Sequence, residues 1–161
     1  VANGEDLQEF MSILNYSSRE NGRTPMQWDT SDNAGFTKGK PWKRVNDNYT
    51  KINVAIQQDD PNSILNHFRQ MTKVRKENPV LIYGDYAIIQ KEHPSIYAYT
   101  RTLDNEKVLV VLNFSENKSD IKLSEIKKLE ATIINNYNTV AVSEGNKITL
   151  MPYQALIFKI N

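Results

Sequence analysis

The chain has 161 residues, which is enough for one full domain or for one small domain with an appendage. Its 20 basic and 19 acidic residues leave a formal charge of +1, which argues against a nucleic-acid or membrane-surface partner, because such binding needs a surplus of positive charge. The chain has no cysteine and therefore no disulfide framework or thiolate metal site, which is consistent with a reducing, cytoplasmic location.

The first element expected is a helix from about Glu5 to Asn15. Leu7, Phe10, Met11 and Leu14 follow helical spacing, and Asn3 is placed to cap the first turn. The residues before the helix lack the basic and apolar segments of a signal peptide, and the chain does not start with methionine. These features favour a piece of a longer protein or a processed product.

Residues 17–54 show no regular period, since prolines and glycines interrupt every pattern. The segment nevertheless holds both tryptophans of the chain, Trp28 and Trp42. Aromatic residues are rare in disordered segments, so we expect an ordered, packed loop. Its start is dense in charge, with Arg19, Glu20 and Arg23, which is typical of a functional site carried on a loop.

A second helix is predicted from Asn62 to Glu77, with Asp60 as N-cap and Pro61 at the first helical position. An apolar stripe marks the face on which this helix packs, and it consists of Ile64, Leu65, Phe68, Met71 and Val74. Asn78-Pro79 ends the helix.

After Pro79 the pattern changes to short strands separated by turns, which predicts an antiparallel sandwich or barrel. The strands are expected at 86–90, 95–101, 108–114, 121–123, 131–135, 147–150 and 154–160, with turns at 103–106 and 144–146. The strand at 108–114 is almost wholly apolar and should be covered on both faces. His67 and His93 have no companions for a triad or a metal and are interpreted as surface residues. Tyr97, Tyr99 and Tyr153 are interpreted as half-buried packing rather than as a sugar-binding face.

The charged loop carries a specific motif, Ser18-Arg19-Glu20-Asn21-Gly22-Arg23-Thr24-Pro25-Met26-Gln27-Trp28-Asp29, followed by Pro41-Trp42 and Ile52-Asn53-Val54. This pattern closely resembles the alpha-amylase family of glycoside hydrolases, in the branch of oligo-1,6-glucosidases, alpha-glucosidases and sucrose isomerases. The resemblance extends through the helix and strands to the C-terminus.

The resemblance implies a mainly β chain, with an antiparallel β-sandwich preceded by the last loop and helix of a (β/α)8 barrel. Residues 1–78 would be the C-terminal remnant of the catalytic barrel, and residues 79–161 the complete β-domain. The expected partner is the N-terminal catalytic barrel of the same chain. In barrel enzymes the site lies on such loops at the C-terminal face.

The chemistry implied is retaining hydrolysis of an α-glucoside oligosaccharide by two carboxylates about 5 Å apart. The catalytic carboxylates of the family precede the region that this chain resembles, so we expect no catalytic residue here. We also expect no cofactor and no metal. Two alternatives stay open: a sucrose isomerase or transglycosylase of the same family, and a non-catalytic β-domain for carbohydrate binding or structural support.

Within the motif, Arg23 is similar to the arginine that reaches the terminal sugar in this branch, and Arg19 could line the product side. The competing interpretations are an arginine that ties the loop through backbone carbonyls, and an Arg19 that pairs with Glu20 or Asp29. Glu20 stands where the family usually has aspartate, so its longer arm changes any contact that this carboxylate makes. Trp28 and Trp42 could stack on sugars, although packing on the barrel is the favoured interpretation.

Overall fold

The structure is a computed structural model that describes residues 6–124, 126, 128–137, 142–144 and 147–161. Its α-helices are α1 (Leu7–Ser17), α2 (Val54–Asp59), α3 (Ile64–Glu77) and α4 (Val80–Tyr83). Its strands are β1 (Asp85–Ile89), β2 (Ile96–Leu103), β3 (Glu106–Asn113), β4 (Ser119–Lys122), β5 (Leu129–Asn135), β6 (Val142–Glu144), β7 (Lys147–Leu150) and β8 (Ala155–Ile160). The chain divides into two compact units, Val1–Arg69 and Gln70–Asn161.

The first helix is present, two residues later than predicted. Asp6 caps it, because its carboxylate accepts a hydrogen bond from the Gln8 amide at 2.8 Å. The predicted cap, Asn3, lies outside the described residues. All of the large apolar side chains of α1 are exposed, including Leu7, Phe10 and Met11.

The long loop is ordered as expected but contains more regular structure than its sequence indicated. Short 3-10 turns occur at Arg19–Gly22 and Asp47–Thr50, and a third turn at Asp32–Gly35 passes through the left-handed region at Asn33, Ala34 and Gly35. The loop ends in α2, which was not predicted, because six residues are too few to show a helical period. The buried side chain of Asn53 caps α2, since its Oδ1 accepts a hydrogen bond from the Ile56 backbone amide at 2.9 Å.

Helix α3 ends at Glu77 as predicted but begins at Ile64 rather than Asn62. Asp60 is not the cap: its carboxylate accepts from the Asn62 amide and closes a turn before the helix. The cap is Ser63, whose hydroxyl accepts from the Asn66 amide at 3.1 Å.

The apolar stripe of α3 has two different environments. Met71 and Val74 pack against a cluster of buried residues in the second unit. Ile64 and Phe68, about two turns and one turn before Met71, are 84% and 68% exposed. Leu65 is half-buried, so within the described chain the two fully outward members of the stripe are Ile64 and Phe68.

The second unit consists of two antiparallel sheets, which confirms the mainly β class. Five strands follow the order β1-β2-β3-β8-β5, and three follow the order β4-β7-β6. Every predicted strand is present within two residues of its expected bounds, and β6 is an additional strand. The predicted 103–106 turn joins β2 to β3, with Asp104 in the left-handed region at φ +51°. In the predicted 144–146 turn, residues 145 and 146 lie outside the described part.

Strand β3 is covered on both faces, as its apolar run predicted. Leu109 and Val111 point into an inter-sheet cluster, which is formed by buried residues of both sheets such as Ile121, Ile148 and Leu156. Val108 and Val110 point into a helix-side cluster, which is formed with Val80, Leu81, Ile134 and Ile157. Burial of this apolar area is the main source of stability in the unit.

No helix in the described ranges is long and apolar enough to cross a membrane.

His93 is not the surface histidine that was predicted. Its ring is half-buried, and Nδ1 accepts from the backbone amides of Ser95 and Ile96 at 3.2 and 2.9 Å. Backbone N–H groups only donate, so Nδ1 is unprotonated and Nε2 donates to the Asp120 carbonyl at 3.1 Å. The ring therefore joins the turn before β2 to strand β4.

We expect His93→Ala to lower the free energy of unfolding by about 2 kcal/mol, because three backbone groups lose their partner. Urea denaturation measures the loss. His93→Asn should recover part of it, since an amide oxygen can replace Nδ1 as acceptor. His67→Ala, at an exposed helix position, is the matched control and should change stability by less than about 0.5 kcal/mol. Equal losses in both alanine variants would contradict the role of the ring.

Candidate functional site

The two arginines predicted to bind substrate lie at opposite ends of one 3-10 turn. Arg19 begins the turn and Arg23 follows its last residue, where the Arg23 amide donates to the Glu20 carbonyl at 3.0 Å. Ser18 caps the turn by accepting from the Glu20 amide at 3.3 Å. Both arginine side chains are exposed, so the turn presents two guanidinium groups on one short segment.

Glu20 lies between two cations. Its Oε1 is 3.8 Å from Nη1 of Arg23, and its Oε2 contacts Nζ of Lys43. At 3.8 Å the contact with Arg23 is an ion pair and too long for a hydrogen bond, so Glu20 does not occupy the donors of the guanidinium fork. In the described part of the chain, neither Glu20 nor Asp29 pairs with Arg19.

Lys43 was not singled out from the sequence, where it belongs to a short basic run. The structure places its ammonium 5.1 Å from the centroid of the Trp42 ring as well as against Glu20. A separation of 23 residues along an irregular loop gives no periodic signal, so sequence reasoning could not pair Lys43 with Glu20.

The segment after Arg23 is braced from two sides. The Trp28 amide donates to the Ala34 carbonyl at 2.8 Å, and the carbonyls of Gln27 and Trp28 accept from the first amides of α2 at 3.0 Å. The side-chain amide of Gln27 also donates to the Ile52 carbonyl. These contacts satisfy free donors at the start of α2 and fix the segment that follows Arg23 in the chain.

Asn53 braces the end of the loop, a role that the sequence analysis, which quoted it only as part of the motif, did not assign. Its side chain is buried, donates to the Tyr49 carbonyl at 2.8 Å and caps α2. The signal was available, because asparagine directly before a run of helix-forming residues is a typical N-cap.

Asp29 and Gly35 meet where the loop reverses direction. The hydroxyl and amide of Ser31 donate to the Asp29 carboxylate, and these hydrogen bonds hold its pKa below the ordinary value. Gly35 has a φ of +67°, and a Cβ there would lie 2.7 Å from an oxygen of Asp29. This turn therefore requires glycine for both backbone conformation and space.

We expect Gly35→Ala to destabilise the loop by about 2 kcal/mol, from left-handed strain and from displacement of the Asp29 carboxylate. Limited proteolysis of the loop reports the effect as faster cleavage. Gly22→Ala is the control, because a Cβ at Gly22 meets no atom within 4 Å. Cleavage of the two variants at the same rate would contradict the requirement for glycine at Gly35.

The remaining candidates are aromatic. Trp28 is 50% exposed and Trp42 is 67% exposed. Either ring is therefore accessible to a sugar or to the surface of a barrel, and both roles stay predictions. An open hollow of about 900 Å³ lies beside Asp29 and is also lined by Phe36 and Lys38. Neither Arg19 nor Arg23 lines it.

In the second unit, Tyr86, Tyr97 and Tyr99 form a cluster on β1 and β2. The hydroxyls of Tyr86 and Tyr97 are 2.8 Å apart, and both rings lie within 5.4 Å of the Tyr99 ring. Burial raises the pKa of Tyr99, which packs against the helix-side cluster, so the predicted packing role holds for this residue. Tyr153 is 61% exposed and is not the half-buried residue that was predicted.

Within the described ranges, no three His, Cys, Asp or Glu side chains lie close enough together to hold a metal ion.

Comparison with known families gives two matches. The alpha-amylase catalytic domain matches residues 1–84, and the C-terminal domain of the alpha-amylase SusG matches residues 96–157. The first covers the arginine turn, which is residues 19–23, the braced loop that continues from it to α2, and α3. The second covers most of the two-sheet unit.

Comparison with individual proteins agrees with these matches. An oligo-1,6-glucosidase from Parageobacillus thermoglucosidasius is 44% identical over 98% of this chain, which spans 28% of that protein. The crystal structure of an isomaltulose synthase from Protaminobacter rubrum is 42% identical, with a TM-score of 0.88 over 100% of this chain and 29% of its own. A trehalose-6-phosphate hydrolase from Bacillus licheniformis is 35% identical, with a TM-score of 0.90 over 99% and 29%.

The chain therefore spans less than a third of the length of these relatives. The motif around Arg23, the fold of both units and the match of the catalytic domain to residues 1–84 agree with one another. On this evidence the chain belongs to the alpha-amylase family of glycoside hydrolases.

Proposed function

We propose that the chain is the C-terminal part of a retaining alpha-glucosidase that cleaves terminal α-1,6 or α-1,4 glucosidic bonds of short oligosaccharides. The observation that carries the proposal is the exposed Arg23 guanidinium on a braced loop, in a chain 44% identical to an oligo-1,6-glucosidase. A guanidinium in that position can donate two hydrogen bonds from a rigid fork to the hydroxyls of the terminal glucose. Arg19, at the other end of the same turn, is the second proposed sugar contact.

The proposed division of labour follows from what this segment contains. Arg23 and Arg19 are donors, suited to binding and orienting a sugar but not to attacking it. The nucleophile and the general acid of a retaining glycosidase are carboxylates, and we propose that the preceding catalytic barrel supplies them. The segment by itself should bind its barrel but hydrolyse nothing. The cysteine-free sequence supports a cytoplasmic location for the enzyme.

The first test is a substrate assay with the full-length enzyme. We expect glucose release from isomaltose or maltose, and NMR of the first product should show the α-anomer, because retention requires two displacements. A preparation of residues 1–161 alone should release none. The β-anomer as first product, or no release of glucose from either disaccharide, would overturn the proposal.

Isomerisation is a second candidate, favoured by the 42% identity to an isomaltulose synthase. Sucrose separates the two. Conversion of sucrose into another disaccharide, with little free glucose, would replace hydrolysis with isomerisation as the main reaction. Saturable binding of isomaltose to residues 79–161 in calorimetry would instead favour a carbohydrate-binding β-domain.

A further inference from the structure

One carboxylate in the arginine turn is shared unequally by two cations. Lys43 contacts Oε2 of Glu20 directly, whereas Arg23 lies 3.8 Å from Oε1. A carboxylate can accept on both oxygens, and each cation that it holds weakens its attraction for the other. The closeness of Lys43 therefore bears on how firmly Glu20 holds Arg23.

Lys43 is held in this position by more than its charge. Its ammonium lies 5.1 Å from the centroid of the Trp42 ring, and its side chain is 32% exposed. The next residue, Arg44, is 81% exposed and pairs with Asp47 instead. Two neighbouring cations in one segment thus have different partners, and only Lys43 reaches the turn that carries Arg23.

We propose that Lys43 is a positioning residue for sugar binding that acts on Arg23 through Glu20. By occupying the Glu20 carboxylate, Lys43 keeps Arg23 from closing onto it and leaves the guanidinium fork available to the sugar hydroxyls. The inference rests on the proposed function, because Lys43 is proposed to keep Arg23 available for its contact with the sugar.

The test is Lys43→Met in the full-length enzyme. Without the ammonium, Glu20 engages Arg23 more tightly, so the sugar must displace it. We expect KM for isomaltose to rise about two- to five-fold, the range expected for a partly exposed ion pair, with kcat unchanged. Lys43→Arg restores the charge and should return KM to within about two-fold of wild type.

Two controls separate this mechanism from a general loss of charge or structure. Arg44→Met removes a charge from the adjacent residue and should leave KM unchanged. In a Glu20→Gln background no carboxylate competes for Arg23, so Lys43→Met should have no effect on KM. An unchanged KM in Lys43→Met, the same rise in Arg44→Met, or the same rise in the Glu20→Gln background would each overturn the inference.

A second measurement does not depend on activity. In the same full-length protein labelled with ¹⁵N-arginine, the Nε–Hε signal of Arg23 should shift and exchange more slowly in Lys43→Met than in Arg44→Met. If the wild-type enzyme hydrolyses no glucoside, the proposed function fails and this signal alone decides whether Lys43 controls Arg23. An Arg23 signal that is identical in both variants would overturn the inference.

Discussion

Replacement of Arg23 by alanine in the full-length enzyme should reduce kcat/KM for isomaltose about 100-fold or more. The side chain is proposed to donate two charge-assisted hydrogen bonds to the terminal sugar, each of which contributes about 1.5–3 kcal/mol. The loss of both corresponds to at least about 3 kcal/mol, or a factor of at least about 100. The alanine has no group that could replace either donor.

The matched control is Arg44→Ala. Arg44 carries the same charge on the same loop but is 81% exposed and pairs with Asp47, so kcat/KM should stay within about two-fold of wild type. Arg23→Lys keeps the charge without the fork and should recover only part of the activity. A kcat/KM for Arg23→Ala within a few-fold of wild type would remove Arg23 from the sugar site and favour the alternative of an arginine that ties the loop.

The largest effect on stability is expected for Gly84→Ala, at the junction of α4 and β1. A Cβ at this position would lie 2.5 Å from the Val80 carbonyl oxygen and 3.0 Å from the backbone N and O of Thr102. The φ of Gly84 is −61°, which any residue can adopt, so the requirement for glycine here is one of space alone.

Neither neighbour of Gly84 can move cheaply. Val80 is buried in the helix-side cluster, and Thr102 is paired with Asp85 across the β1–β2 ladder. We therefore expect Gly84→Ala to lower the free energy of unfolding by about 3 kcal/mol, at the upper end of the range for overpacking. Urea denaturation followed by circular dichroism measures the loss.

Gly39→Ala is the control for this prediction. A Cβ there would have as its nearest neighbour the Thr37 hydroxyl, at 3.8 Å. Its stability should lie within about 0.5 kcal/mol of wild type. If Gly84→Ala changed the free energy of unfolding as little as Gly39→Ala, the backbone near α4 would be able to move aside, and the requirement for glycine at position 84 would be wrong.

The features that could be predicted from the sequence are those set by residues close to one another along the chain. The strands and the second half of α3 were predictable, because burial imposes a period on neighbouring residues. The start of α3 was misplaced by two residues, since Asp60 and Ser63 are both residue types that favour the N-cap, and the cap hydrogen bond is made by Ser63. Helix α2 is too short to carry a period of its own.

The candidate site divides in the same way. Arg19 and Arg23 were found through the motif, which is contiguous in sequence. The contact of Lys43 with Glu20, and that of His93 with Asp120, join segments more than 20 residues apart. Such contacts depend on how irregular backbone folds back on itself. No local pattern of residue types in the sequence predicts that path.

The burial of strand β3 on both faces limits which substitutions this strand can accept during evolution. From Val108 to Val111, four successive side chains are buried, alternately in the inter-sheet cluster and in the helix-side cluster. An ordinary half-exposed strand leaves every second position open to polar substitution, whereas this segment leaves none. Drift in β3 is thus confined to exchanges among apolar residues of similar volume, and each exchange calls for an adjustment in one of two separate clusters.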